Sequence, residues 1–254
     1  MKLAPIALAA LLAAPFASAA TGPLKDKALA LQTANKDSVV FISAVVELEV
    51  TAGDNPSRKE EKKVEIVGTV IGKDGLIVGP LSAIDVASAV DGRTINTPKG
   101  PVQISAKSNT KEVKIILADG SEVPAKVAFK DTDLDLAFIR PEKPEEAKLT
   151  PVNITDSAKL SLLDDVIVLG RMGKDFNREP VAMTSEVISI LTKPRTFGRI
   201  GAPSLGMPVF NGEGKFIGIG INRFPPKGDE SGSSQATNVI LPAADLLESA
   251  SQAK

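Results

Sequence analysis

At 254 residues, with 30 lysines and arginines against 31 aspartates and glutamates, the chain has room for one large all-β domain or two small ones and carries a formal charge of −1. Such a balance excludes the global basic field that recruits nucleic acid or an anionic membrane surface. Cysteine and histidine are both absent, which excludes disulfides, thiolate or imidazole metal sites and any acid–base scheme that runs through an imidazole.

The first predicted element is a leader. Lys2 is followed by an apolar run over 3–16 and then by Ala17-Ser18-Ala19, the small-x-small pattern of a secretory cleavage site. A signal peptide is therefore expected over 1–19, cleaved after Ala19. The run is shorter than the ~20 apolar residues that span a bilayer, so the mature protein is expected to have no membrane span. An exported chain without cysteine suits a bacterial periplasm, reached by secretion across the inner membrane. Residues 20–38 come next as a polar leader and a short helix over 24–36, with Leu24, Ala28, Leu31 and Ala34 on one face.

From residue 39 the pattern changes to strands. Runs at 39–42 and 45–50 are β-branched or alternating, and the charged stretch 51–63 reads as a solvated hairpin loop. The strands within 64–78 are interrupted by Lys73-Asp74-Gly75, and those at 113–117 and 123–129 by Asp119-Gly120, where Asp-Gly supplies the positive φ of a hairpin turn. A short strand is expected at 135–139. Pro141 and Pro144 open a polar connector over 141–155. Beyond it the strands resume at 165–169, 181–191, 208–210, 216–221 and 237–241, with Asn211-Gly212-Glu213-Gly214 as a turn, and 243–251 reads as a helix. Short strands with turn signals at this spacing predict barrels or sandwiches, and the connector divides them into two sets.

Taken in order, these segments resemble the HtrA/DegP family of trypsin-like serine proteases over about 39–247. The hairpin 68–78 resembles the one leading into the family's Thr-Asn-x-His motif. The segment from Leu117 through Asp131-Thr132-Asp133-Leu134-Asp135 to Arg140 resembles the one carrying the triad aspartate. The stretch 165–170 resembles the strand before the family's Gly-Asn turn, and 208–219 resembles the segment on the C-terminal side of the family's Gly-Asn-Ser-Gly-Gly. The resemblance implies an all-β, trypsin-like double six-stranded β-barrel with short N- and C-terminal helices. It divides the chain into an N-terminal barrel over 39–140, the connector 141–155, a C-terminal barrel over 156–241 and a terminal helix over 242–254. A PDZ module after that helix is not expected.

Carried across residue by residue, the active site is degraded. The histidine position falls on Ser82, the aspartate position on Asp135 and the nucleophile position on Leu205. The first oxyanion-hole donor falls on Pro203, which has no N–H to give. A serine cannot act as a base near neutral pH and a leucine cannot attack a carbonyl, so the resemblance implies a pseudoprotease. Its role is then regulatory, scaffolding or chaperone-like binding of a peptide or protein of the cell envelope, with Ser204, Leu205, Gly206 and Met207 lining the former cleft and nucleic acid not expected. The alternative is a residual hydrolase in which Ser204 attacks with a non-histidine base such as a lysine of lowered pKa. Otherwise Ser204 reads as an exposed loop hydroxyl. Deprived of an imidazole, a buried Asp135 needs other donors, and Ser82 is the natural one. Asp131, Asp133 and Asp135 alternate along the chain, but without the glycine and terminal glutamate of a calcium loop no metal is expected. No phosphate-binding glycine motif occurs either, so no cofactor is expected.

Overall fold

Alternating apolar residues build two closed barrels in the computed structural model, which describes residues 22–98, 100–224 and 236–253. The expected signal peptide lies outside the described residues. A helix α1 (Pro23–Ala34) leads into β1 (Val39–Ala52), β2 (Arg58–Val70) and β3 (Ile77–Pro80), then two short helices, α2 (Leu81–Ile84) and α3 (Val86–Val90). Next come β4 (Thr94–Thr97), β5 (Gly100–Ile116), β6 (Glu122–Asp131) and β7 (Leu136–Pro141). The strand order β1-β2-β3-β7-β6-β5 closes through antiparallel pairing of β1 with β5, and β4 hangs on β5 outside the barrel.

The second barrel contains β8 (Asp165–Arg171), β9 (Pro180–Leu191), β10 (Phe197–Ile200), β11 (Pro208–Asn211), β12 (Phe216–Arg223) and β13 (Thr237–Pro242), and ends in α4 (Ala243–Ala250). These strands close in the order β10-β13-β12-β11-β8-β9. Among the described residues no helix is long and apolar enough to cross a membrane.

Period-two alternation sorts the side chains into three cores. Val40, Ile42, Ala44 and Val46 of β1 fill the first barrel together with Ile77, Ala137 and Ile139. Val166 and Val168 of β8 and Ile240 of β13 fill the second. The opposite faces of the same strands, Val78, Leu136, Phe138, Ile167, Leu169, Val239 and Leu241, meet in a third core that holds the barrels together.

One expectation is corrected here. The charged run 58–63 is not a loop; it lies in β2, paired with β1 from Val39↔Thr69 to Val50↔Arg58, and only a short turn separates the strands. The run is exposed, so it lacks the apolar alternation that marks a strand, yet its charges are matched across the ladder. Lys59 meets Glu49 at 3.4 Å. Glu47 lies opposite Glu61, a repulsive pair, and Lys111 bridges both carboxylates at 2.8 Å. Lys111 is the extra residue of a bulge in β5, between the registers Val45↔Glu112 and Val46↔Thr110.

At the junction Arg171 is only 8% exposed. Its guanidinium donates to the carbonyls of Val39, Lys36 and Arg178, tying the end of β8 to the start of the first barrel. Burial lowers its pKa below the ordinary arginine value, and Asp37 and Glu179 only partly offset that. Replacing Arg171 with Met should leave those carbonyls short of a donor and lower the unfolding free energy by about 2 kcal/mol or more, measured by urea denaturation.

Candidate functional site

Asp135 sits at the turn between β6 and β7 with φ 55, a left-handed conformation that short polar side chains tolerate better than most. It is 6% exposed. The turn is set by Asp131, whose carboxylate accepts from the Leu134 N–H at 3.1 Å, and by the Leu81 N–H, which donates to the Asp135 carbonyl at 2.9 Å. The carboxylate itself accepts from three groups. Ser82 donates its backbone N–H at 2.6 Å and its hydroxyl at 3.0 Å, and Asn222 of β12 donates its backbone N–H at 3.2 Å. The Asn222 amide Nδ2 donates in turn to Ser82 Oγ at 3.3 Å. Ser82 thus reaches the carboxylate from the first barrel and Asn222 from the second. Burial dominates the titration and pushes the Asp135 carboxyl up to about 6, against the lowering effect of the hydrogen bonds from Ser82 and Asn222.

The three alternating aspartates diverge. Asp131 accepts from the Ser249 hydroxyl at 2.6 Å, and the Asp133 carbonyl accepts from Arg223 at 2.9 Å. Among the described residues no group of three or more Asp and Glu gathers to hold a metal.

Residues 203–207 form a turn pressed against β12. Leu205 bridges Gly220, the Gly206 N–H donates to the Gly220 carbonyl at 2.8 Å, and Met207 N–H closes on the Ser204 carbonyl at 2.8 Å. The contact requires a glycine at 220, where a Cβ would lie 1.9 Å from the Ser204 carbonyl oxygen. Gly206 has φ 73, and a Cβ there would lie 2.1 Å from the Val67 carbonyl oxygen. Thr69 Oγ1 of the first barrel donates to the Gly206 carbonyl at 2.9 Å. Ser204 is therefore not the exposed hydroxyl expected of a loop. It is 1% exposed and donates to Asn238 Oδ1 at 2.7 Å, because the side-chain-free Gly220 lets the turn sink onto β12. Pro203 is exposed, while Leu205 and Met207 are half-buried, Met207 lying over Gly170.

Two depressions flank β10. One, of about 460 Å³, is lined by Arg199, Ile200, Ala202, Pro203, Thr237 and Asn238. The other, of about 340 Å³, is lined by Asp133, Leu134, Pro194, Arg195, Phe197 and Arg223. The sequence-predicted residues Ser82 and Asp135 are brought into contact, and the turn carrying Pro203, Ser204, Leu205, Gly206 and Met207 lies on the strand that supplies Asn222. Asn222, Asn238 and Thr69 carried no signal in the sequence, since each is a lone polar residue within a strand pattern.

Residues 67–219 match the family described as "Trypsin-like peptidase domain". The "Probable periplasmic serine protease do/HhoA-like" of Haemophilus influenzae is 27% identical over 172 residues, 59% of this chain and 35% of that protein. The "Serine protease Do-like HtrA" of Bacillus subtilis is 29% identical over 154 residues, 55% of this chain and 34% of that protein. The chain thus spans about a third of the length of the curated relatives it matches. In fold it is similar to an HtrA-type protease, a serine-to-alanine variant of AlgW with a tripeptide, at a TM-score of 0.54 and 13% identity, covering 87% of this chain and 61% of that one. The MamO protease domain of Magnetospirillum magneticum matches at a TM-score of 0.48 and 17% identity, covering 80% and 94%.

A carboxyl whose folded pKa is raised from 3.8 to about 6 holds its proton more tightly in the native state, so its contribution is present below pH 4 and lost as the pH rises through 6. Relative to Asp135→Asn, which cannot ionise, the native protein should gain on the order of 3 kcal/mol of stability between pH 7 and pH 4. Paired urea titrations of the two proteins across that range check the sign. Gly206→Ala should cost about 2 to 4 kcal/mol by combining a left-handed Ala with a backbone clash, again read by denaturation.

Proposed function

We propose that this chain, which belongs to the trypsin-like peptidase family, is an exported pseudoprotease that works by binding a peptide or protein segment. The observation that carries the proposal is the donation of both the Ser82 N–H and the Ser82 hydroxyl to Asp135, at 2.6 and 3.0 Å. In an active triad that carboxylate orients an imidazole which takes the nucleophile's proton. Here the group beside it is a serine hydroxyl, which donates to the carboxylate and is no base near neutral pH.

Leu205 at the nucleophile position and Pro203 at the oxyanion-donor position point the same way. The rival nucleophile, Ser204, has its hydroxyl buried and donated to an amide oxygen, and an amide oxygen does not activate a serine. A binding role at the cleft, rather than a scaffold with the site dissolved, is supported by the burial of Asp135 and by the open depressions on either side of β10. Export is supported by the leader pattern over 1–19 and by the word periplasmic in the name of the Haemophilus relative.

The purified mature protein should neither hydrolyse unfolded casein nor take up a fluorophosphonate probe. Turnover abolished by Ser204→Ala would contradict the proposal. Installing Ser82→His with Leu205→Ser should leave activity near background, because Pro203 still withholds a donor worth roughly 3 kcal/mol, about a hundredfold in rate. Adding Pro203→Gly should give the larger gain.

A further inference from the structure

The two depressions beside β10 are edged by arginines on a chain whose formal charge is −1. On β13, Ile240 points into the second barrel and faces Gly198 of β10 on one side and Gly220 of β12 on the other. Alternation from those anchors puts Arg199 and Arg223 on the outer face, the same face as Ile221 and Val239 of the inter-barrel core. Arg199 lines the depression beside Pro203, and Arg223 lines the one beside the Asp135 turn.

Arg223 spends one N–H on the Asp133 carbonyl and lays its guanidinium over the Phe197 ring at 5.6 Å. Among the described residues neither Arg199 nor Arg223 lies within ion-pair distance of a carboxylate, whereas the neighbouring Arg195 is paired with Asp245 at 2.6 Å. The carboxylate of Asp133 is the one acid lining either depression among the described residues.

We propose that the occupant of the cleft is an acidic, extended peptide segment, whose carboxylates pair with Arg199 and Arg223 while its apolar side chains rest on Ile200 and Pro203 beside Arg199. This specificity deepens the binding function proposed for the cleft and rests on it. Arginine forks match carboxylates bidentately and a rim of one sign selects its partner by charge. Ile200, Ala202 and the Pro203 ring beside Arg199 give peptide side chains an apolar contact that a phosphodiester backbone cannot use.

The test is fluorescence anisotropy of the full chain with three labelled peptides of equal length, in which valine alternates with glutamate, glutamine or lysine. The glutamate peptide should bind roughly tenfold tighter than the lysine peptide, with glutamine between, and added salt should narrow the gap. Arg199→Glu, at an exposed position with no packing role, should erase or invert the preference, and Arg223→Gln should weaken it. Equal affinities for the three peptides would overturn the acidic specificity while leaving cleft binding intact. Failure of all three to bind would remove the binding function itself, and with it this proposal. A single-stranded oligonucleotide that displaces the glutamate peptide at equal concentration would overturn the choice of a peptide.

Discussion

A carboxylate enclosed between two barrels has to be supplied with donors from both, and the placing of Asp135 reflects that constraint. Ser82 brings two donors from the helix after β3, and Asn222 brings one from the end of β12. Their combined effect is smaller than that of burial, since the carboxyl rises to about 6 rather than falling. The ionised form is thus held at a cost that the apolar core between the barrels has to offset. That core is built from the outward faces of strands whose inward faces fill each barrel, so the same alternation that makes the barrels also makes the joint.

The second half of the site is fixed by close backbone approach rather than by charge. Gly206 and Gly220 leave no room for a Cβ against Val67 and Ser204, and Thr69 reaches across from the first barrel to the Gly206 carbonyl. The turn is therefore held as firmly as a nucleophile loop would need to be. At its apex Leu205 offers an alkyl group and Ser204 points its hydroxyl into the protein toward Asn238. A positioned turn beside open depressions would suit the proposed role of holding a segment without cutting it.

Most strands were legible because they are covered on one face, and the Asp-Gly turns that join them sit where positive φ was expected, at Gly75 and Gly120. The residues that escaped notice escaped for identifiable reasons. The charged half of β2 and the first half of β5 extend beyond the barrel core into solvent, so no apolar alternation betrays them. β4, β10 and α2 span only four residues each, and the polar residues or glycine within β4 and β10 leave no apolar run of the kind that marks the equally short β11. In the site, the contact of Ser82 with Asp135 could be anticipated because Ser82 follows an Asp-Gly turn at a countable distance and both residues belong to one barrel. Asn222 and Thr69 act across the joint, at separations of 87 and 137 residues from their partners, and local pattern carries no trace of such contacts.

The central claim is that Asp135 is a shared structural acceptor joining the barrels. Native-state hydrogen exchange of the Ser82 and Asn222 amides tests it most directly. If the claim holds, both amides exchange only with global unfolding, and Asp135→Ala lowers the protection of both together, one in each barrel. Exchange of either amide at the rate of an exposed loop, or protection unchanged by removal of the carboxylate, would contradict it.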